Sequence, residues 1–410
     1  MNQLLRAHAD EIVARSIKAV LPDEAVRRAL TGRGFAGRVF LVAAGKAAWQ
    51  MAHTAVGCLP QLSKGVVVTK YGHARGEIPG CACYEGGHPV PDENSFAGTA
   101  AALALTEKLS PEDTVLFLLS GGGSALFEQP LIPAEELQDI TRQLLACSAD
   151  IVEMNTIRKR LSAVKGGRFA QHCAPAKVLT IVLSDVLGDP LDMIASGPAY
   201  PDSSTCQDAR RICEKYGLRL SARARACLAV ETPKSLYHVE THVNGSVREL
   251  CAAAGEAAAA LGYRPVFLTD QLRCQAREAG SFLASILKSH ARSGESLAFI
   301  AGGETVVRLV GTGLGGRNQE LALAAADGIA GIPGAAVFSV GSDGTDGPTD
   351  AAGGYVDGDS AAALADAGLT VHGALSNNDA YNALGKIGGL IVTGPTGTNV
   401  NDVAVALLRR

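Results

Sequence analysis

The sequence predicts an α/β fold of two layered domains with mostly parallel sheets, and three observations carry that prediction. Short apolar runs alternate with stretches of helical spacing along the chain. Most of those runs are apolar at every position, the pattern of parallel strands covered on both faces. Glycine-rich turns follow several of them, and open α/β sheets bind ligands outside the carboxyl ends of their strands. At 410 residues the chain exceeds what one hydrophobic core holds, so at least two domains are expected.

Strands are expected at VFLVAA (39–44), GVVVT (65–69), TVLFLL (114–119), KVLTIVL (177–183), RPVFLT (264–269), SLAFIA (296–301), TVVRLV (305–310), AAVFSV (335–340) and GLIVT (389–393). Helical stretches such as KAAWQMAHTAVGCL, NSFAGTAAALALTEKL and VRELCAAAGEAAAALG lie between them, which gives βαβ units. The opening MNQLLRAHADEIVARSIKAV reads as an amphipathic helix. Residues Ser203 to Pro233 are polar and helical without a strong strand, and ETPKSLYHVE then leads into a new β-α-β series. A boundary follows there, with a Rossmann-like α/β domain over 1–235 and a second α/β domain over 236–410. The cleft between the halves is the expected active site.

Composition narrows the function. The chain is 47% hydrophobic and 5% aromatic, and its 47 glycines cluster in loops, as in an α/β enzyme with tight strand-to-helix turns. The charge is 37 minus 41, or −4, without a polybasic run, which argues against nucleic acid as a main partner. Ten cysteines show neither zinc spacing nor C-x-x-C, consistent with free thiols in a reducing cytoplasm. Charges break up the apolar residues of the N-terminus, so it is neither a signal peptide nor a membrane span, and no other run is long and apolar enough to span.

The densest chemical signal is GTGLGGRNQELALAAADGIAGIPGAAVFSVGSDGTDGPTD, residues 311–350. A glycine-rich turn empties into a helix whose first turn carries Arg317, so a cation, backbone N–H groups and the positive end of a helix dipole meet at one point. That arrangement predicts an anion receptor. The following loop offers Ser342, Asp343, Thr345, Asp346 and Asp350, hard oxygen ligands of the kind Mg²⁺ accepts. An anion cradle beside a carboxylate loop suggests Mg-nucleotide chemistry, although the P-loop and protein-kinase signatures are absent. Gly311-x-Gly313-x-x-Gly316 also matches the dinucleotide pattern, but its helix opens with Arg-Asn-Gln-Glu instead of small packing residues.

Other junctions point the same way. LLSGGGSAL (118–126) brings Gly121, Gly122 and Gly123 where a backbone can approach a ligand closely, and Ser124 can bond a phosphate or cap a helix. VAAGKAAWQMA (42–52) sets Lys46 at a helix start, unfavourable for the dipole unless an anion is bound; a solvated lysine is the equal alternative. LSDVLGDPLDMIASGP (183–198) places Asp185 at a strand's carboxyl end, with Asp189 and Asp192 near, although a turn cap would also use it. NTIRKRLSAVKGGRFA (155–170) is basic, and its Lys165-Gly166-Gly167 could touch phosphate. His88, in GGHPVPD (86–92), reads as structural.

Together AAGKAA, GGHPVPD, LSGGGSAL, RKRLSAVKGG, LSDVLGD…IASGP, GGET, GGRNQE, GSDGTDGPTDAAG and TGPTGTNVND resemble the class II glycerate kinases, across residues 40–403. That family has an N-terminal kinase-associated domain and a C-terminal domain containing the MOFRL region, which here falls on about 295–405. The resemblance implies transfer of the γ-phosphoryl of ATP to the 2-hydroxyl of D-glycerate, with Mg²⁺ or another divalent metal. It puts the family's functional lysine, aspartate and arginine on Lys46, Asp185 and Arg317. Arg317 and Lys46 would hold the substrate carboxylate or the transferring phosphoryl, and Asp185 would orient or deprotonate the hydroxyl. Substrate or nucleotide contacts are expected from Ser120, Gly121, Gly122, Gly123, Ser124, Lys165, Glu304, Gly315, Gly316 and Asn318, and metal contacts from Asp343 and Asp346. Some bacterial members carry the name hydroxypyruvate reductase, so an NAD(P)H-dependent reductase is the alternative, with a non-catalytic nucleotide- or sugar-phosphate-binding protein as a third reading. Partners are then small molecules, glycerate and ATP, in the cytoplasm, and a homodimer is left open.

Overall fold

In the computed structural model, which describes residues 1–410, the chain divides into two compact units. One comprises Ala25–Asn244; the other joins Met1–Glu24 to Gly245–Arg410.

The first unit is built on six parallel strands: β1 (Val39–Ala44), β2 (Lys64–Lys70), β3 (Cys81–Gly86), β4 (Thr114–Leu119), β5 (Lys177–Val182) and β6 (Val239–Val243), in the order β3-β2-β1-β4-β5-β6. This is the doubly wound order, in which the chain leaves β1 towards one edge and returns at β4 to build the other. β1 is buried at all six positions because both sheet faces are covered. Val39, Leu41 and Ala43 pack with Met51, Ala52 and Ala55 of helix Ala48–Cys58. Val42 and Ala44 join the opposite layer with Phe117, Phe127 and Phe169. A separate small core holds the helices that carry Leu137, Ile140, Ile157, Ile212 and Leu228.

The unit runs nine residues past the expected boundary at 235, because β6 pairs in parallel with β5 from Val178↔Val239 to Val182↔Val243. Its sequence, VETHV, is short and polar at its three central positions, as an edge strand allows, and so gave no strand signal.

The second unit has the strands β7 (Arg264–Leu272), β8 (Leu297–Gly303), β9 (Ala335–Gly341), β10 (Gly353–Asp357), β11 (Leu390–Ile391) and β12 (Asp402–Leu408), ordered β11-β10-β9-β12-β8-β7. Only β7 and β8 are parallel; β12 runs antiparallel between β8 and β9, and β9, β10 and β11 pair antiparallel. The expected mostly parallel sheet is therefore corrected here. β12 is buried at all seven positions, so the apolar run after Asp402 records two covered faces and not strand direction. The first 24 residues also belong to this unit: Leu5, Ala9, Ile12, Val13 and Ile17 line the buried stripe of helix Gln3–Ala19, which packs on helix Val247–Ala260.

The expected strand TVVRLV is an irregular loop. Val306, Leu309 and Val310 are 58%, 79% and 60% exposed. The amides of Val310 and Gly311 donate to Asn378 Oδ1, and Thr312 N donates to Asn377 Oδ1, in place of a strand ladder.

Candidate active site

In the first unit the candidate residues collect where β1 and β4 lie side by side, with Ala44 paired to Leu119. The chain turns away in opposite directions beyond them, so their loops bound a crevice. Gly45 follows β1 with φ of +123°, and a β-carbon there would lie 2.2 Å from Ser120 Oγ. Only glycine fits. Lys46 N donates to Gly121 O (2.9 Å), and Ala47 N donates to Ser120 Oγ (3.1 Å). Ser120 is thus buried and capping, which withdraws it from ligand contact. Thr69 Oγ1 donates to Gly45 O at 3.0 Å, and His73 Nδ1 lies 2.9 Å from Lys46 O. The Lys46 backbone is fixed from both sides.

The glycine turn after β4 brings Asp185, Lys46 and His88 to one point. A β-carbon at Gly121 would stand 2.3 Å from Asp185 Oδ2. At Gly122, with φ of +85°, it would stand 3.1 Å from both Lys46 Cγ and His88 Cδ2. Asp185 reaches this turn from the end of β5. Burial, then the charges of Lys46, Lys70 and His73, lowers the His88 pKa and keeps its ring neutral. Phe127 anchors the far side of the turn, its ring 5.4 Å from Phe117 and 5.0 Å from Phe169. Ser124 Oγ lies 3.3 Å from Ser196 Oγ, which donates to Asn155 Oδ1 at 3.0 Å. Ala195 and Ser196 both have positive φ, 51° and 62°, and Ala195 Cβ would be 2.7 Å from a β-carbon on Gly123. Such strained non-glycine residues persist only where packing over-determines them.

Lys165 is corrected. It is fully buried, and its ammonium donates to Ser124 O (2.7 Å) and Phe127 O (3.1 Å) and pairs with Glu128 Oε2 at 2.9 Å. Two carbonyls and a carboxylate surround the buried ammonium, so it faces protein and not a phosphate. It holds the glycine turn from beneath.

In the second unit Arg317 opens helix Arg317–Ile329, as expected, but protein carboxylates already answer its charge. Nε and Nη2 donate to Asp402 at 2.5 and 3.0 Å, and Nη1 lies 3.4 Å from Glu304 Oε1. Asp402 opens β12 opposite Gly303 and Gly341, the last residues of β8 and β9. Burial disfavours the guanidinium charge, yet the Asp402 hydrogen bonds and charge hold its pKa above the ordinary value. The side chain is 34% exposed.

The helix N-terminus itself is filled. Asn318 N and Gln319 N donate to the two Asp346 oxygens at 3.1 and 2.8 Å. Asp346 therefore supplies the acceptors that the first amides of the helix call for, and the free anion receptor expected there is corrected. Burial pushes the Asp346 carboxyl up to about 7 against the pull of those amides. Both of its oxygens accept from the start of the helix, and the side chain is buried. A β-carbon on Gly316 would lie 2.2 Å from Asp346 Cγ, and Gly315 packs on Ala380, so these glycines make room for protein. Gly311 and Gly313 likewise press on Asn377 and Asp379, which removes the dinucleotide reading of the motif. Asn318 is buried, its amide oxygen taken by Ser339 Oγ at 2.6 Å. Glu304 is half exposed and Asp343 partly so, the latter accepting from Thr345 N at 3.0 Å.

No three His, Cys, Asp or Glu side chains converge to cage a metal. Sequence reasoning passed over Asp402 and gave His88 a structural role. The only signal for Asp402 was its place at the end of TGTNVND.

Comparison with known proteins follows this geometry. A model described as a domain of unknown function, DUF4147, matches residues 8–229, and the MOFRL family model matches 297–402. The chain is 53% identical to a D-glycerate 2-kinase from Thermotoga maritima over 98% of each chain. It is 38% identical to a glycerate 2-kinase from Pyrococcus horikoshii over 97% of this chain and 96% of that one. A crystal structure of a glycerate kinase from Thermotoga maritima, 52% identical, matches with a TM-score of 0.95 over 100% of both chains.

Proposed function

The chain belongs to the MOFRL-domain glycerate 2-kinases, and we propose that it transfers the γ-phosphoryl group of ATP to the 2-hydroxyl of D-glycerate, giving 2-phosphoglycerate and ADP. The observation that carries the reading is the meeting of Asp185, Lys46 and a close-approach glycine turn at the β1/β4 crevice, in a chain so close to a named D-glycerate 2-kinase.

Phosphoryl transfer asks a protein mainly for positioning and charge neutralisation. Asp185 accepts the proton of the attacking hydroxyl as the new O–P bond forms and the bond to the ADP oxygen breaks. Lys46 meets anionic oxygens as a point charge, and Arg317 presents the part of its fork that Asp402 leaves free. Gly121 and Gly122 let the backbone approach phosphate oxygens, with Ser124 near them, while Gly123 is buried against Ala195. A divalent cation, when bound with ATP, would neutralise phosphate charge, and Asp343 is the carboxylate of its loop left to touch it. We place the activity in the cytoplasm, where ATP and reduced thiols coexist; all ten cysteines are free. The hydroxypyruvate reductase reading has no support from the glycine motif, whose glycines serve packing.

The test is a coupled assay with enolase, pyruvate kinase and lactate dehydrogenase, without phosphoglycerate mutase. Glycerate and ATP together should give signal. Signal that needs the mutase would identify 3-phosphoglycerate and overturn the proposal.

A further inference from the structure

His88 stands at the crevice without a part in the mechanism above. Its loop is fixed in place: Asp92 accepts from Ser95 N at 3.0 Å and from Tyr71 OH at 2.7 Å, and a β-carbon on Gly87 would lie 2.5 Å from Val90 O. The ring is half buried, with Cδ2 and Nε2 3.1 and 3.2 Å from the point where Gly122 lacks a β-carbon, and Lys46 Cγ is 3.1 Å from that same point. Asp185 Oδ2 lies 2.3 Å from the corresponding point on the next residue, Gly121. The two residues of this turn thus separate a carboxylate on the β5 side from an imidazole and the stem of Lys46 on the β1 and β3 side. Lys70, the last residue of β2, adds a further positive charge near that second wall. An anionic group is attracted to that wall and repelled by Asp185; a hydroxyl that must lose a proton belongs beside Asp185.

We propose that His88 is a substrate-contacting residue: its imidazole and the Lys46 ammonium bind the carboxylate of the small hydroxy acid, which lies across the Gly121–Gly122 turn with its reacting hydroxyl towards Asp185. This assigns an orientation to the substrate and rests on the kinase reading. A neutral imidazole donates one hydrogen bond without the desolvation cost of a second buried cation beside Lys46. It therefore selects for a planar acceptor such as a carboxylate while Lys46 supplies the charge.

The experiment compares wild type, His88→Ala and His88→Gln with glycerate and with its neutral amide, glyceramide, each at varied ATP. His88→Ala should raise the glycerate KM at least about tenfold, the scale of one lost hydrogen bond to a charged group. It should leave the ATP KM within about twofold and narrow the preference for glycerate over glyceramide. His88→Gln, which returns an N–H near the Nε2 position, should recover part of the loss. An Ala variant that turns over with unchanged glycerate KM and unchanged preference overturns the proposal while leaving the kinase reading standing. A wild type without ATP-dependent turnover overturns the kinase reading instead. If melting curves show that neither variant folds, His88 serves the fold and the proposal fails.

Discussion

At the residue scale, Arg317 shows how a correct placement can carry an incomplete reason. A cation at a helix N-terminus needs an anion, and the anions present are Asp402 and Glu304. Its removal therefore does more than spare the helix an unfavourable charge. Asp402 has only 8% of its side chain exposed, and burial raises its pKa even with Arg317 in place. Arg317→Ala should lower stability on the order of 2 kcal/mol, less than the roughly 3–5 kcal/mol of a fully buried pair because Arg317 is itself partly exposed. By melting temperature this is a fall of about 4–8 °C. Adding Asp402→Asn should recover part of it, whereas an unchanged melting temperature in the single variant would show the pair to be thermodynamically idle. Lys165 teaches the complementary lesson: a Lys-Gly-Gly run looks like a phosphate grip, yet Glu128 and two carbonyls consume the ammonium in the core. Sequence spacing cannot distinguish a lysine facing a ligand from one facing a carboxylate 37 residues earlier.

At the element scale, the loop 86–92 depends on Asp92, which caps helix Glu93–Leu105 in a capping box with Ser95. Burial alone would raise the Asp92 pKa, but hydrogen bonds from Ser95, Tyr71 and Gly87 hold it at about 2. A carboxyl lowered in the folded state stabilises fully above its unfolded value near ~4 and loses that contribution as pH falls towards 2. Asp92→Asn should cost about 1 kcal/mol at neutral pH, the usual scale for an N-cap. It should also flatten the fall in melting temperature between pH 4 and pH 2; an identical acid profile in the variant would contradict this role. Elements were legible where pattern and environment agreed: VFLVAA and TVLFLL became β1 and β4 residue for residue. TVVRLV failed because apolar residues without a ladder do not make a strand; only Val306 bridges, to Gln275, and the Val310 amide is taken by Asn378. β12 was missed because DVAVALL follows a loop dense in Gly, Thr and Asn with no helix before it. That omission also concealed the antiparallel half of the second sheet.

At the scale of the whole molecule, strand order decides where chemistry can occur. The order β3-β2-β1-β4-β5-β6 opens a crevice between β1 and β4, and the loops that follow β1, β3, β4 and β5 deliver Lys46, His88, Gly121–Gly122 and Asp185 to it. Glycine-rich turns after apolar runs made the candidate residues of the first unit readable from sequence. Those of the second unit were read less well, because its glycines and Asp346 serve internal packing at a helix start and only the structure assigns them partners. The central claim is that the β1/β4 crevice performs the phosphoryl transfer with Asp185 taking the proton. It is tested most directly by kcat of Asp185→Asn in the mutase-free enolase assay, measured beside its melting temperature. The account predicts a loss of about a hundredfold or more, the scale of a positioned acid–base group, with melting nearly unchanged. A variant that keeps near wild-type kcat would contradict it and leave Asp185 a structural carboxylate.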